Sequence, residues 1–350
     1  MKNIARLLVV VIVLLIAGVL IAYNWYQSGI VQPNDSSDEL VSFTVQSGES
    51  VDTIAGNLVK ANLLRDQTLF VLYGKLNPEK IVAIQAGLFD IKKSSAITDL
   101  YETLKKAHNK DDIRITVQEG IRYDQVVEIV ATGLKDSPNF KKSELVSIIE
   151  KPDKYKFSAS VQKFLDEYKP AGTNLEGYLF PDTYFFPKNV SAQDVVEKMV
   201  QNLSVRLSDN DYAALKQSKY SLHDILIIAS LLERETSTKE QGPLVAGVIY
   251  NRLEKGVNGV KLLQIDSSLA YITKDWNADI VSLKSSASKY NTFKYPGLTP
   301  TPICNPGIST IRAALFPQKS NYYYYLNDVK GVIYYAETYS EFLVLVRKYI

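Results

Sequence analysis

The sequence predicts an α+β protein made of an N-terminal transmembrane helix, a small β-α-α-β unit and a larger mixed α+β domain. Three observations carry this expectation. An uncharged apolar run of about 20 residues lies near the N-terminus. A following stretch of about 50 residues moves from strand-like alternation to a 3.6-residue apolar period and back. Beyond it, helical patterns alternate with short strands and with loops rich in Pro, Gly and aromatic residues.

The first element rests on Leu7 to Tyr23, which is almost wholly apolar and is extended by Trp25 and Tyr26. Lys2 and Arg6 precede it; Asp35, Asp38 and Glu39 follow. Positive charge before and negative charge after predicts an N-terminus in the cytoplasm and a body outside. The run is longer than the apolar core of a signal peptide, and its bulky end offers no small-x-small cleavage site, which favours an uncleaved anchor. Residues 1–26 are thus read as a cytoplasmic tip and anchor. Residues 27–42, with Pro33, Asn34, Ser36 and Ser37, read as a linker.

In the small unit Ser42 to Gln46 alternates as a strand. Ser50 can cap a helix whose apolar residues Val51, Ile54, Ala55, Leu58 and Val59 share one face. Leu69 to Leu76 continues as a second helix, Ile81 to Ile91 reads as a strand containing Gly87, and Ala96 to Lys106 as a further helix. From 111 onward, Ile113 to Val117 is a strand, Glu119-Gly120 a turn, Tyr123 to Leu134 a helix, and Ser137 to Pro170 is charged and mostly helical. No internal repeat or low-complexity tract is present.

Composition narrows the chemistry. Forty basic against 38 acidic residues give a net charge of +2, which supplies no reason to expect nucleic acid. Cys304 is the only cysteine, so no intrachain disulfide can form. His108 lies in a lysine-rich run that reads as solvated, and His223 at a helix start reads as a capping-region or surface residue. Two histidines and one cysteine fall short of a zinc site built from such ligands, and no motif calls for a cofactor. The chain has 23 Tyr, which either fill half-buried positions or stack on a sugar face.

The segment Ile225 to Thr236 is an apolar helix that abruptly carries carboxylates. Glu233 shares a face with Leu226 and Ala229. An apolar face strips hydration from a carboxyl and disfavours its charged form, the condition that a proton donor to a glycosidic oxygen requires. Glu235 lies about 200° around the helix from Glu233. The two therefore cannot act on one bond as the close carboxyl pair of a retaining glycosidase. From the pattern alone, a solvated helix end fits as well as a catalytic acid.

Other polar clusters follow the same order along the chain. They are Leu175-Glu-Gly-Tyr-Leu-Phe-Pro-Asp-Thr-Tyr184, Val245-Ala-Gly-Val-Ile-Tyr-Asn-Arg-Leu253, Leu263-Gln-Ile-Asp-Ser-Ser268, Tyr290-Asn-Thr-Phe293 and Gly297-Leu-Thr-Pro-Thr-Pro-Ile-Cys-Asn-Pro-Gly307. The last is a loop stiffened by proline and turned by glycine, which suits a binding site. Taken with Ala229 to Thr236, these segments resemble the YceG-like (MltG-type) endolytic murein transglycosylases, over the chain from about Phe43 to the C-terminus. The chain departs from the family pattern at Phe293, Thr299 and Thr301, and has no histidine in Gly331 to Tyr335 or at Glu341-Phe342.

The resemblance implies an α+β fold with an N-terminal transmembrane helix, a LysM-like β-α-α-β subdomain over 43–110 and a mixed α+β catalytic domain over 111–350. It implies cleavage of the MurNAc-GlcNAc bond of nascent peptidoglycan, with the muramyl 6-hydroxyl attacking its own anomeric carbon to leave a 1,6-anhydro end and terminate strand growth. Glu233 falls on the family's catalytic glutamate, and one glutamate suffices if it first gives and then takes a proton. Gln264, Asp266, Tyr290, Asn291, Tyr178, Glu235 and Asn251 are the expected substrate-binding residues. Glycan strands, the membrane and cell-wall synthases are the expected partners, at the extracytoplasmic side of the cytoplasmic membrane. Two rivals stay open: a peptidoglycan hydrolase, which needs a water-activating carboxylate facing Glu233, and a non-catalytic glycan-binding scaffold.

Overall fold

The computed structural model describes residues 2–46, 48–105, 112–238 and 240–350, and side chains from residue 17 onward within these. The chain divides into two compact units, Met1–Asp112 and Ile113–Ile350. His108 and the end expected for the helix at Lys106 lie outside the described residues.

The first unit opens with a helix over Lys2–Val31. Among the described residues no helix is long and apolar enough to cross a membrane, and the first half of the run from Leu7 to Tyr26 lies outside the described side chains. The helix continues into the stretch expected as linker because its last turn has a partner. Ile30 is buried in the core of the unit with Leu69, Phe70 and Leu100, and Gly29 lets the helix approach Leu69, where a Cβ would sit 2.5 Å from a methyl carbon.

Strands Leu40–Val45 and Gly87–Lys92 pair antiparallel, with Phe43 opposite Phe89 and Val41 opposite Ile91. Between them lie helices Val51–Lys60 and Gln67–Leu76. The Ser50 and Asp66 side chains accept amides in the first turns of these helices, satisfying donors that the helices leave open. The β-α-α-β order holds with one correction. Pro78–Val82 is a short helix, started by proline at its first turn, and the second strand begins only at Gly87.

The second unit is mostly helical. Its small sheets are antiparallel pairs, Ile113–Thr116 with Thr183–Phe186 and Tyr324–Asn327 with Ile333–Ala336. At its centre runs the helix Leu222–Glu235, in which Leu222, His223 and every residue from Ile225 to Leu232 are buried. Each buried Leu or Ile side chain there contributes roughly 1.5–3 kcal/mol relative to exposure. Ser221 caps its start by accepting the Asp224 amide, and Asp224 accepts the Ser221 amide in return. Ile311, Ala313 and Ala314 of the helix Ile308–Leu315 are buried in the same core. His223 is a buried residue rather than a surface one. Its ring shares a hydrogen bond with the Tyr178 hydroxyl at 2.9 Å, and burial pulls its imidazole below the ordinary value.

Candidate active site

The central helix ends among polar partners, and its last acids diverge as the helical spacing requires. Glu233 Oε2 accepts the Gly307 amide at 3.0 Å and the Thr310 hydroxyl. Gly307 stands just before the helix Ile308–Leu315, so the carboxylate sits on that helix's N-terminal amide and at the positive end of its dipole. Among the described residues Glu233 Oε1 forms no hydrogen bond. Oε2 is thus held by the loop and the following helix, and Oε1 is the oxygen without a partner among the described residues.

Gly307 is held in place by a buried clamp. Asn305 is fully buried; its Oδ1 accepts the amides of Gly177 and Leu179, and its Nδ2 donates to Ile121 O and Glu176 Oε1. Its carbonyl accepts the Gly120 amide at 2.9 Å. Ser230 of the central helix accepts the Ile303 amide at 3.0 Å, which seats the buried loop along that helix. Gly307 leaves room for Glu119: a Cβ there would lie 2.0 Å from Glu119 Oε1. Gly120, at φ +76, turns the chain past the end of the central helix, where a Cβ would lie 3.3 Å from Glu233 Cγ. Two carboxylates thus flank Gly307. Glu119 carries no sequence signal beyond its Glu-Gly turn, and neither Gly307 nor Thr310 is marked by spacing, since their link to Glu233 is made only by the fold.

Glu176, in the segment Leu175 to Tyr184, is a further residue to which the sequence assigns no role. It is fully buried, accepts the Tyr123 amide, the Asn305 amide group and the Tyr271 hydroxyl, and burial pushes its carboxyl up to about 8. It therefore holds the clamp as a neutral acid at neutral pH.

The expected substrate-binding residues separate into two sets. Gln264 and Asp266 are exposed, and Tyr290 is half-buried with its hydroxyl on Thr301 at 2.7 Å and its ring 4.9 Å from that of Tyr271. Gln264 adopts φ 56, a conformation unusual for a residue with a side chain. Its Oε1 accepts from Arg252, which fixes the amide and turns its NH2 outward.

The other four are supports. Tyr178 is fully buried with its hydroxyl on Tyr168 O. Asn291 is fully buried and donates to Lys284 O and Ser286 O. Asn251 donates to Ser320 O and Tyr322 O. Glu235 accepts from Ser267 and Tyr325, and burial raises its carboxyl above the ordinary value. The Glu235–Ser267 bond ties the Gln264–Asp266 segment to the C-terminal end of the central helix, so Glu235 organises the candidate site from behind.

The same chain aligns with proteins of known identity. The sequence profile of the YceG-like family matches residues 43–348. The endolytic murein transglycosylase of Bacillus subtilis (strain 168) is 30% identical over 339 residues, covering 93% of this chain and 89% of that protein. The endolytic murein transglycosylase of Streptococcus pneumoniae serotype 2 (strain D39) is 28% identical over 348 residues, again covering 93% of this chain. The alignment spans 61% of the pneumococcal protein's length. The crystal structure of a yceG-like protein from Listeria monocytogenes superposes with a TM-score of 0.57 at 27% identity, covering 88% of this chain and 100% of that one. The chain belongs to the YceG-like family.

Proposed function

We propose that this protein is an endolytic lytic transglycosylase that cleaves the MurNAc-GlcNAc bond of nascent peptidoglycan and ends strand elongation. The observation that carries the reading is the Glu233 carboxyl, with Oε2 fixed by Gly307 and Thr310 and Oε1 unoccupied. Protonated Glu233 gives its Oε1 proton to the leaving glycosidic oxygen, and the bond from that oxygen to the muramyl C1 breaks. The carboxylate then takes the proton of the muramyl 6-hydroxyl as its oxygen bonds to C1. Acid and base are the same residue, no water is consumed, and the product carries a 1,6-anhydro ring. Gln264, Asp266 and Tyr290 position the sugars on either side of the bond.

The Lys2–Val31 helix serves as the membrane anchor in this reading, with the body outside. Support comes from the apolar run Leu7 to Tyr26, with Lys2 and Arg6 before it and acids after it. The β-α-α-β unit acts as a LysM-like glycan-binding module, supported by its order of elements.

A hydrolytic outcome has one observation in its favour. Glu119, whose carboxyl lies against Gly307, is the carboxylate that would activate water. Mass spectrometry of uncrosslinked strands digested by the full-length protein decides between the two. Anhydro-muramyl ends are expected, and reducing muramyl ends would transfer the assignment to a hydrolase with Glu119 as its base.

A further inference from the structure

The proton-transfer scheme leaves one group beside the site unused. Arg122 precedes the helix Tyr123–Gly133 and is 5% exposed. Its Nε and Nη2 bind the Asp124 carboxylate at 2.9 and 3.3 Å. That two-point grip fixes the guanidinium plane and leaves Nη1 at the far edge. Nη1 is closed off from solvent and has no hydrogen-bond partner among the described residues. An enclosed N–H of a cation without an acceptor is a standing cost to the fold.

The neighbours of Arg122 make this more specific. Its guanidinium lies 5.2 Å from the centroid of the Trp276 ring, and that of Arg234 lies 4.2 Å from the same centroid. Arg234 is exposed and directly follows Glu233. Its Nη1 comes within 3.5 Å of where a Cβ on Gly120 would stand. Two cations therefore gather on one indole at the catalytic end of the central helix. The ring satisfies their faces, yet it offers nothing to their N–H edges. An anion with acceptor oxygens completes such a pair, and a carboxylate matches the guanidinium fork best.

We propose that Arg122, Arg234 and Trp276 form a subsite for a substrate carboxylate beside Glu233. The inference rests on the glycan-cleaving reading above. A muramyl strand presents carboxylates from two sources: the free lactyl acid of a peptide-free muramyl residue, and the carboxyl groups of a stem peptide. Polymers of N-acetylglucosamine present neither. The subsite sets which muramyl residue enters and in what orientation, and it takes no part in the proton transfers.

The test uses full-length protein on three strand preparations: peptide-free, peptide-bearing, and peptide-free with the lactyl carboxylates converted to neutral methylamides. Arg234→Gln is expected to raise KM tenfold or more on one of the charged strands while kcat stays within about threefold. Wild type is expected to lose the same factor on the amidated strand, where Arg234→Gln has no further effect. Arg122→Gln should behave likewise, and Arg234, being exposed, keeps the test sound if the buried variant fails to fold. A KM effect confined to peptide-free strands assigns the lactyl acid; one confined to peptide-bearing strands assigns the peptide. Equal KM for wild type and Arg234→Gln on every strand, or an equal loss on charged and amidated strands, overturns the proposal.

Failure of wild type to cut any strand would strike the glycan-cleaving reading instead, and a binding measurement then decides the subsite alone. Trp25 and Trp276 are the only tryptophans, so a Trp25→Phe background isolates Trp276 fluorescence. Titration with N-acetylmuramic acid or with N-acetylmuramyl dipeptide is expected to change it saturably, N-acetylglucosamine to leave it unchanged, and Arg234→Gln to abolish the response. The same response to N-acetylglucosamine as to the muramyl ligands, or no response to either muramyl ligand, overturns the subsite.

Discussion

Glu233 and Gly307 meet across 74 positions of sequence, the Gly307 amide donating to Glu233 Oε2 at 3.0 Å. In the proposed mechanism this contact orients the carboxyl that acts as the acid. It fixes Oε2, leaves Oε1 without a partner among the described residues, and places the start of a second helix behind the carboxyl.

Thr310 is the other donor to that oxygen. Thr310→Val keeps the shape of the buried side chain and removes the hydroxyl. A drop in kcat of about 10- to 100-fold is expected, the equivalent of the ~1.5–3 kcal/mol of a hydrogen bond to a charged group. Thr310→Ser should recover most of it. Steady-state kinetics on glycan strands checks both, and a Val variant as fast as wild type would remove Thr310 from the account.

Gly307 has no space for a side chain because Glu119 fills it. Gly307→Ala is expected to cut activity by at least tenfold, since the added methyl must displace either the Glu119 carboxylate or the amide that holds Glu233. In the double variant with Glu119→Ala the displacement is unnecessary, so the two changes should be less than additive. A double-mutant cycle on kcat measures this, and strict additivity would contradict the packing argument.

Glu176 ties stability to pH. Burial raises its carboxyl from an ordinary 4.5 to about 8 in the folded protein. Between those values the folded state holds a proton that the unfolded state releases, so the contribution is fully present below pH 4.5 and is lost as pH rises through 8. From pH 5 to 8 the unfolding free energy should fall by a few kcal/mol through this group. Glu176→Gln should flatten that fall. Denaturant titrations at a series of pH values, followed by Trp276 fluorescence in the Trp25→Phe background, give the two slopes. Parallel slopes would show that Glu176 is not the responsible group.

These residues also mark how far the sequence could be read. The helix Leu222–Glu235, its Ser221 cap and the divergence of Glu233 from Glu235 follow from local periodicity, because 3.6-residue spacing and capping chemistry act within a few positions. The Glu176 hydrogen bonds to Asn305 and Tyr271, and the Gly307 and Thr310 donors to Glu233, join segments 74 or more positions apart and leave no local trace. His223 looked like a surface residue because it begins a helix; the Tyr178 hydroxyl and the Pro300 carbonyl enclose it. Asn291 and Asn251 stand in polar motifs for structural reasons, since both spend their amide groups on backbone carbonyls of irregular segments.

Tyr325 supports the site from behind through its hydrogen bond to Glu235 at 2.9 Å. Tyr325→Phe leaves that enclosed carboxyl with Ser267 as its remaining side-chain donor among the described residues. A loss of about 1–3 kcal/mol of stability is expected, readable by denaturant titration. An unchanged midpoint would show that the bond adds nothing to the fold.

The most direct test of the central claim sets wild type beside Glu233→Gln, both full-length, on uncrosslinked glycan strands with mass spectrometric analysis of the ends. Glutamine keeps the size of the side chain and removes the exchangeable proton. Anhydro-muramyl ends from wild type, with none from a folded, strand-binding Glu233→Gln variant, is the predicted result. Anhydro ends from both proteins at comparable rates would contradict the assignment of Glu233 as the acid.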